Sequence, residues 1–382
     1  MLKSMLQVQD RIAAGDKAAL PLQGHLQKLL IASIAENELT APNIRAVVIL
    51  SVIGGRSPTI SGALRKIGQV GPVKDLALAL DYYQSRKRNR ALEKFSRVNI
   101  DELDSRIAPF IAFAQGNLNA SIDPQRAINF FNKTRLLAPG TLLEEASLRK
   151  LMKLCIATQN PDQFMAIARQ YTRRFIGSPY RSQYLKALMS GIGSMRQSIS
   201  LEQIDELARM MPVSFAASYY QNIIRRSVIA GHLKLASHSI NQLQKLRTEN
   251  SLPVVNEQQL ALFSIISRLQ SGDPQTITRE LAAVGIEGLS AKDRRLMDAT
   301  RSMLKSITAP IDANILEVNP GQSAALEDSK KTVRKKQIKT EQTSSAPNSP
   351  AKPETMVEDA EVKSFVQSVD EDLAAIDRLL SE

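Results

Sequence analysis

The sequence predicts an all-α protein of stacked helical hairpins, and three observations predict it. Of 382 residues, 43% are hydrophobic but only 4% aromatic, with no Trp. Ala, Leu and Ile supply the apolar content beside Gln, Lys and Arg, a mixture that favours helix over strand. Capping residues and N1 prolines recur ahead of segments whose apolar residues fall three and four apart. Clusters of Gly, Asn and Pro break these segments into roughly fifteen helices of about 10 to 20 residues joined by short turns. No sheet is expected.

The elements follow in order. Residues 1–10 read as an amphipathic helix containing polar and acidic residues, not as a secretory signal. His25 lies among Leu22, Leu26 and Leu29, the setting of a partly buried core residue. The apolar run 46–53 ends in Gly54-Gly55 and is too short to span a bilayer, so it reads as a buried helix. Ser57-Pro58, Asp123-Pro124, Asn160-Pro161 and Ser178-Pro179 each read as a cap followed by proline. Thr141 with Glu144, and Ser200 with Gln203, have the spacing of a capping box, in which each side chain satisfies a free backbone amide of the first turn.

The clearest hairpin runs over residues 104–139. There Ala127, Phe131 and Pro139 fall at the A-x3-F and later Pro spacing of a tetratricopeptide-type repeat. The small Ala lets two helices approach, the aromatic fills the space above it, and the proline ends the second helix. Residues 141–175 form the next pair, broken at Gln159-Asn160. The expected architecture is therefore a tetratricopeptide-like α-solenoid over residues 1–316. An irregular helical domain without a true repeat is the competing expectation.

Beyond that body the pattern changes. Residues 317–357 read as a disordered linker rich in Pro, Ser, Lys and Glu, carrying the basic run Lys330, Lys331, Arg334, Lys335, Lys336 and Lys339. Residues 358–382 read as a short amphipathic helix, with Val362, Val366, Val369, Leu373, Ile376 and Leu380 on a heptad seam. One short helix cannot bury that seam alone, so it docks back on the body, dimerises or enters a partner's groove.

The net charge is +12, unevenly spread: 41 basic and 26 acidic residues precede Pro320, and 9 basic and 12 acidic residues follow from it. Such a body is drawn to anionic partners of several kinds. Scarce aromatics and the lack of a reading motif argue against nucleic acid.

Catalysis needs a positioned nucleophile, acid, base or metal. His25, His232 and His238 do not cluster, and a separation of six puts the last two on different helix faces. Cys155 shares a stripe with Leu148, Leu151 and Met152 and reads as core filler. Gly54, Gly55, Gly191 and Gly193 form no phosphate-cradling loop. The pairs Glu144-Glu145 and Asp101-Glu102 read as first-turn acids favouring the helix dipole. No catalytic, cofactor-binding or metal site is expected.

Three segments carry a resemblance to a known family: LQVQDRIAAGDKAALPLQ at 6–23, LLAPGTLLEEASLRK at 136–150 and FMAIARQYTRRFIGSPY at 164–180. Together they resemble the MotC motility proteins of rhizobia and their relatives, over roughly residues 6–310 by their order and spacing. The resemblance implies a periplasmic protein needed for flagellar rotation, associating with the periplasmic part of the stator subunit MotB and supporting or tuning torque. It transfers no catalytic residues. That family carries an export signal ahead of the mature domain, whereas this chain begins almost at that domain. A cytoplasmic tetratricopeptide-like adaptor or chaperone is the alternative expectation. If a concave helical surface holds the partner, Arg173, Arg174 and Arg181 are the candidate residues supplying charge, against the plainer role of solvated cations at helix ends.

Overall fold

The structure is a computed structural model that describes residues 1–69, 73–253 and 256–308. The chain divides into two units, 1–309 and 310–382. The predicted linker and heptad helix lie outside the described residues, as does the end of the predicted body.

Among the described residues there are seventeen α-helices, one three-residue 3-10 helix at Ile100–Glu102, and no strand. Most of the helices pair as hairpins. They run α1 (Leu2–Ala13) with α2 (Ala19–Glu36), α3 (Ala41–Ile53) with α4 (Pro58–Ile67), and α5 (Lys74–Gln84) with α6 (Arg88–Phe95). Then come α7 (Ala108–Asn119) with α8 (Pro124–Leu137) and α9 (Leu142–Ala157) with α10 (Pro161–Phe175), whereas α11 (Arg181–Ser194) packs on α9 and α12 (Leu201–Arg209) on α10. The series ends with α13 (Val213–Ile229) and α14 (Leu233–Asn250), then α15 (Glu257–Ser267), α16 (Pro274–Ala283) and α17 (Ala291–Thr308), with α17 packed against both α15 and α16. The seventeen helices among the described residues stand beside the roughly fifteen that the breakers predict.

The hairpins stack through their first helices. Each of α7, α9, α11, α13 and α15 packs against the next odd-numbered helix, and α3 touches both α5 and α7. A hairpin alone leaves one face uncovered, and its successor buries that face. Phe131 shows the principle: it is fully buried, as is Ala127 one turn before it. A Cβ on Gly116 of α7 would lie 2.8 Å from its ring, so only glycine lets α7 and α8 come this close. Phe113 meets Phe131 edge-on at 5.5 Å and packs against both main apolar clusters.

Several caps are as predicted. Ser57, Asp123 and Asn160 each accept the backbone N–H three residues on, and Ser200 with Gln203 forms a full capping box. Ser178-Pro179 is not a cap: α11 starts at Arg181, and the Ser178 hydroxyl donates to Glu145. His25 is exposed, as are Leu22 and Leu29, because α2 turns that face away from the stack. Six of the eight residues of the apolar run, Ala46 to Ser51, are buried as expected, and Val52 and Ile53 are half-buried. Cys155 is fully buried, and burial pushes its thiol up to about 11.

Candidate partner-binding site

The three segments that carry the family resemblance meet at one place in the stack. Thr141 caps α9 by accepting the Glu144 N–H at 3.3 Å, which sets Glu144 and Glu145 in the first turn facing α10. Both acids have no exposed surface. Glu144 does not close the predicted capping box onto Thr141. Its carboxylate reaches the Gly140 N–H, accepts from Gln170 Nε2 at 2.5 Å, and pairs with Arg174 Nη1 at 3.0 Å. Gln170 and Arg174 are one turn apart on α10, so they present both donors to one acid.

Glu145 Oε1 accepts from Tyr171 Oη at 2.6 Å and Ser178 Oγ at 2.7 Å, with Arg149 Nε 3.8 Å away. Tyr171 stacks on Tyr184 at 4.0 Å, and the Tyr184 hydroxyl lies 2.6 Å from Thr172 Oγ1. Burial, reinforced by the Glu145 charge, pushes the Tyr171 phenol well above its ordinary range, so it remains a donor. A buried carboxylate costs several kcal/mol unless hydrogen-bonded and paired. These two acids therefore fasten α9 to α10 and to the α10–α11 turn, and do more than favour a helix dipole. Sequence reasoning missed that role. The available signal was an acid pair flanked by the apolar residues Leu142, Leu143 and Ala146.

The N-terminal hairpin closes over this knot. Helix α1 packs against α9, and Gly15, at φ +104°, faces Gly177, where an added Cβ would lie 3.0 Å from the carbonyl oxygen. Between them is a cavity of about 470 Å³ whose lining includes Leu6, Phe110, Phe113 and Leu142 with the polar groups of Gln9 and Arg149. Arg149 lies over the Tyr180 ring at 4.9 Å.

The candidate arginines flank this region in different states. Arg173 is exposed and has no bond or ion pair among the described residues. Arg174 is half-exposed and engaged with Glu144. Arg181 lies 4.1 Å over the Phe215 ring and donates to the Ile176 carbonyl at 3.2 Å, so it ties α11 to α13. His238 binds the buried Asp205 at 2.9 Å, with Tyr220 and Gln242 also donating to that acid. His232 stands instead at the start of α14. Among the described residues, no three His, Cys, Asp or Glu side chains are grouped to hold a metal, and no helix is long and apolar enough to cross a membrane.

Comparison with known proteins gives the family. The family model described as chemotaxis protein MotC matches residues 1–382. Chemotaxis protein MotC of Rhizobium meliloti (strain 1021) is 25% identical over 315 residues, which cover 81% of this chain and 72% of that protein. No solved structure gives a significant match. With the matched family model spanning its whole length, the chain belongs to the MotC family of chemotaxis proteins.

Proposed function

We propose that this protein is a non-enzymatic, periplasmic motility factor that binds the periplasmic part of the stator subunit MotB and supports or tunes the torque of the flagellar motor. The observation that carries this reading is the meeting of segments 6–23, 136–150 and 164–180 around Glu144 and Glu145. Two buried carboxylates with five hydrogen-bond donors rigidify that corner, and a rigid scaffold is what a binding surface needs to keep its ordering cost low. Arg173 projects from it with its charge unpaired and is the residue proposed to meet an acidic group of the partner. Arg174 and Arg181 hold the surface in shape from within.

The test is a pull-down of the full chain with the MotB periplasmic region at moderate salt, together with cell fractionation and a swimming assay on a deletion strain. Capture, a periplasmic location and flagella that are present but do not rotate are the expected results. Failure of capture overturns the partner. A cytoplasmic location with unchanged swimming overturns the motor role and leaves the adaptor reading.

A further inference from the structure

Three successive intra-hairpin turns lie side by side along one edge of the stack, and hydrogen bonds fix their order. Gln84, at the end of α5, donates to the carbonyls of Ser51 and Gly55 and so holds the α3–α4 turn against the α5–α6 turn. Arg88 Nη1 donates to Ser121 Oγ at 2.7 Å and holds the α7–α8 turn on the other side. This edge carries Arg56 in the first turn, Arg86, Lys87, Arg88 and Arg90 at the second, and Ile122 in the third. All five cations are exposed, and none is in an ion pair among the described residues. Asp123, the acid in these turns, directs its carboxylate at the Arg126 N–H as a helix cap. Ile122 is 56% exposed beside Ser121.

We infer that this edge is a surface for anionic phospholipid headgroups, through which the protein attaches peripherally to a membrane. Five unpaired cations in a row attract a sheet of phosphates with about five-fold in partition for each cation. An exposed isoleucine at the same level adds an apolar contact with the acyl boundary. The groove, sheet-edge and pocket modes of peptide recognition have no counterpart at these turn tips, and an acidic segment read by the arginines is the outcome that the polyglutamate probe below tests. Single-stranded nucleic acid needs exposed aromatic faces for stacking, whereas Tyr82 beside this edge is half-buried and lies under Arg90 at 5.9 Å. The inference does not depend on which partner the Glu144–Glu145 corner takes.

The experiment is flotation of the full chain with vesicles of phosphatidylglycerol and phosphatidylcholine, against phosphatidylcholine alone, at low and high salt. The expected result is salt-sensitive binding to the anionic vesicles only. The variant R86Q/K87Q/R88Q/R90Q loses that binding by several hundred-fold at five-fold per charge. The variant K234Q/K245Q/K292Q/K305Q removes the same net charge from exposed positions elsewhere and retains it. A thermal melt of each variant shows that it is folded. Equal binding of the two variants, equal floating with neutral vesicles, or no flotation of the unmodified chain overturns the proposal. So does tighter capture of a polyglutamate peptide or an RNA oligomer by the same edge.

Discussion

The Tyr171 hydroxyl donates to Glu145 Oε1 at 2.6 Å across the α9–α10 interface, with both side chains fully enclosed. A hydrogen bond to a buried charge contributes about 1.5–3 kcal/mol, more than one between neutral groups. Tyr171→Phe is therefore expected to lower stability by about 2 kcal/mol in urea denaturation. In a Glu145→Gln background the same change costs less, because the acceptor no longer carries a charge. Equal losses in both backgrounds would show that the two residues are not coupled.

Gly191 of α11 gives a second measure of how tightly the stack is closed. A Cβ there would lie 2.2 Å from Phe164 Cζ, and Phe164 is fully buried. Alanine gains up to about 1 kcal/mol in helix propensity, whereas overpacking costs about 1–3 kcal/mol. The overpacking wins, so Gly191→Ala is expected to lower the melting temperature. Phe164→Leu in the same chain is expected to restore part of the loss, and no restoration would place the cost elsewhere than in this contact.

These residues show what the sequence makes legible. Ser57, Asp123, Asn160 and Ser200 act on backbone amides three residues away, so their roles can be read from spacing alone. Ser178 has the same Ser-Pro signature, yet its hydroxyl is committed to Glu145, 33 residues earlier. Glu144 has capping-box spacing but bonds to Gln170 and Arg174, 26 and 30 residues on. Local pattern ranks local options, and a buried charge selects whichever donor the tertiary fold brings closest. His25 fails for the opposite reason: its leucine neighbours imply burial, but among the described residues that side of α2 is left exposed. The meeting of the three recognisable segments was out of reach of spacing altogether, since it depends on α1 folding back onto α9.

That return of α1 rests on a glycine. Gly15 has a φ of +104°, which favours glycine, and a side chain there would press on the Gly177 carbonyl. Gly15→Ala is expected to loosen α1 while leaving α11 to α17 in place. Hydrogen exchange should show faster exchange in residues 2–13 with protection of α13 unchanged. Uniform loss of protection would mean that the N-terminal hairpin folds as one unit with the rest.

Asp293 ties α17 to α13 and α15. It is almost wholly enclosed, pairs with Arg225 at 2.9 Å, and accepts from Ser290 at 2.6 Å and Gln259 at 2.8 Å. Burial alone would raise its carboxyl, but the hydrogen bonds from Ser290 and Gln259 and the Arg225 charge together hold it below 3.8. A lowered folded value means that its stabilisation is complete above the unfolded value near 3.8 and is lost as pH falls through the folded one. Melts between pH 7 and pH 2 should therefore show a steeper acid loss for the unmodified chain than for Asp293→Asn, which is already weaker at neutral pH. Parallel curves would remove Asp293 as a source of acid sensitivity.

Arg173 and Arg174 are adjacent in sequence, and their environments assign them opposite duties. Arg174 is bonded to an enclosed carboxylate, but its guanidinium is about half in water, which screens the pair. Arg174→Ala leaves Glu144 with only the Gly140 N–H and Gln170, so a loss of about 1–2 kcal/mol in stability is expected. Arg173→Ala removes no hydrogen bond or ion pair among the described residues and should change stability by less than about 0.5 kcal/mol. Binding should order the two the other way: Arg173→Glu is expected to weaken capture of the MotB periplasmic region by roughly ten-fold, mostly through a slower on-rate that salt suppresses. If Arg173→Glu leaves capture intact while Arg174→Ala abolishes it in a chain that is still folded, the contact is made where Glu144 lies, and the outward-facing charge at Arg173 is only a solvated helix end.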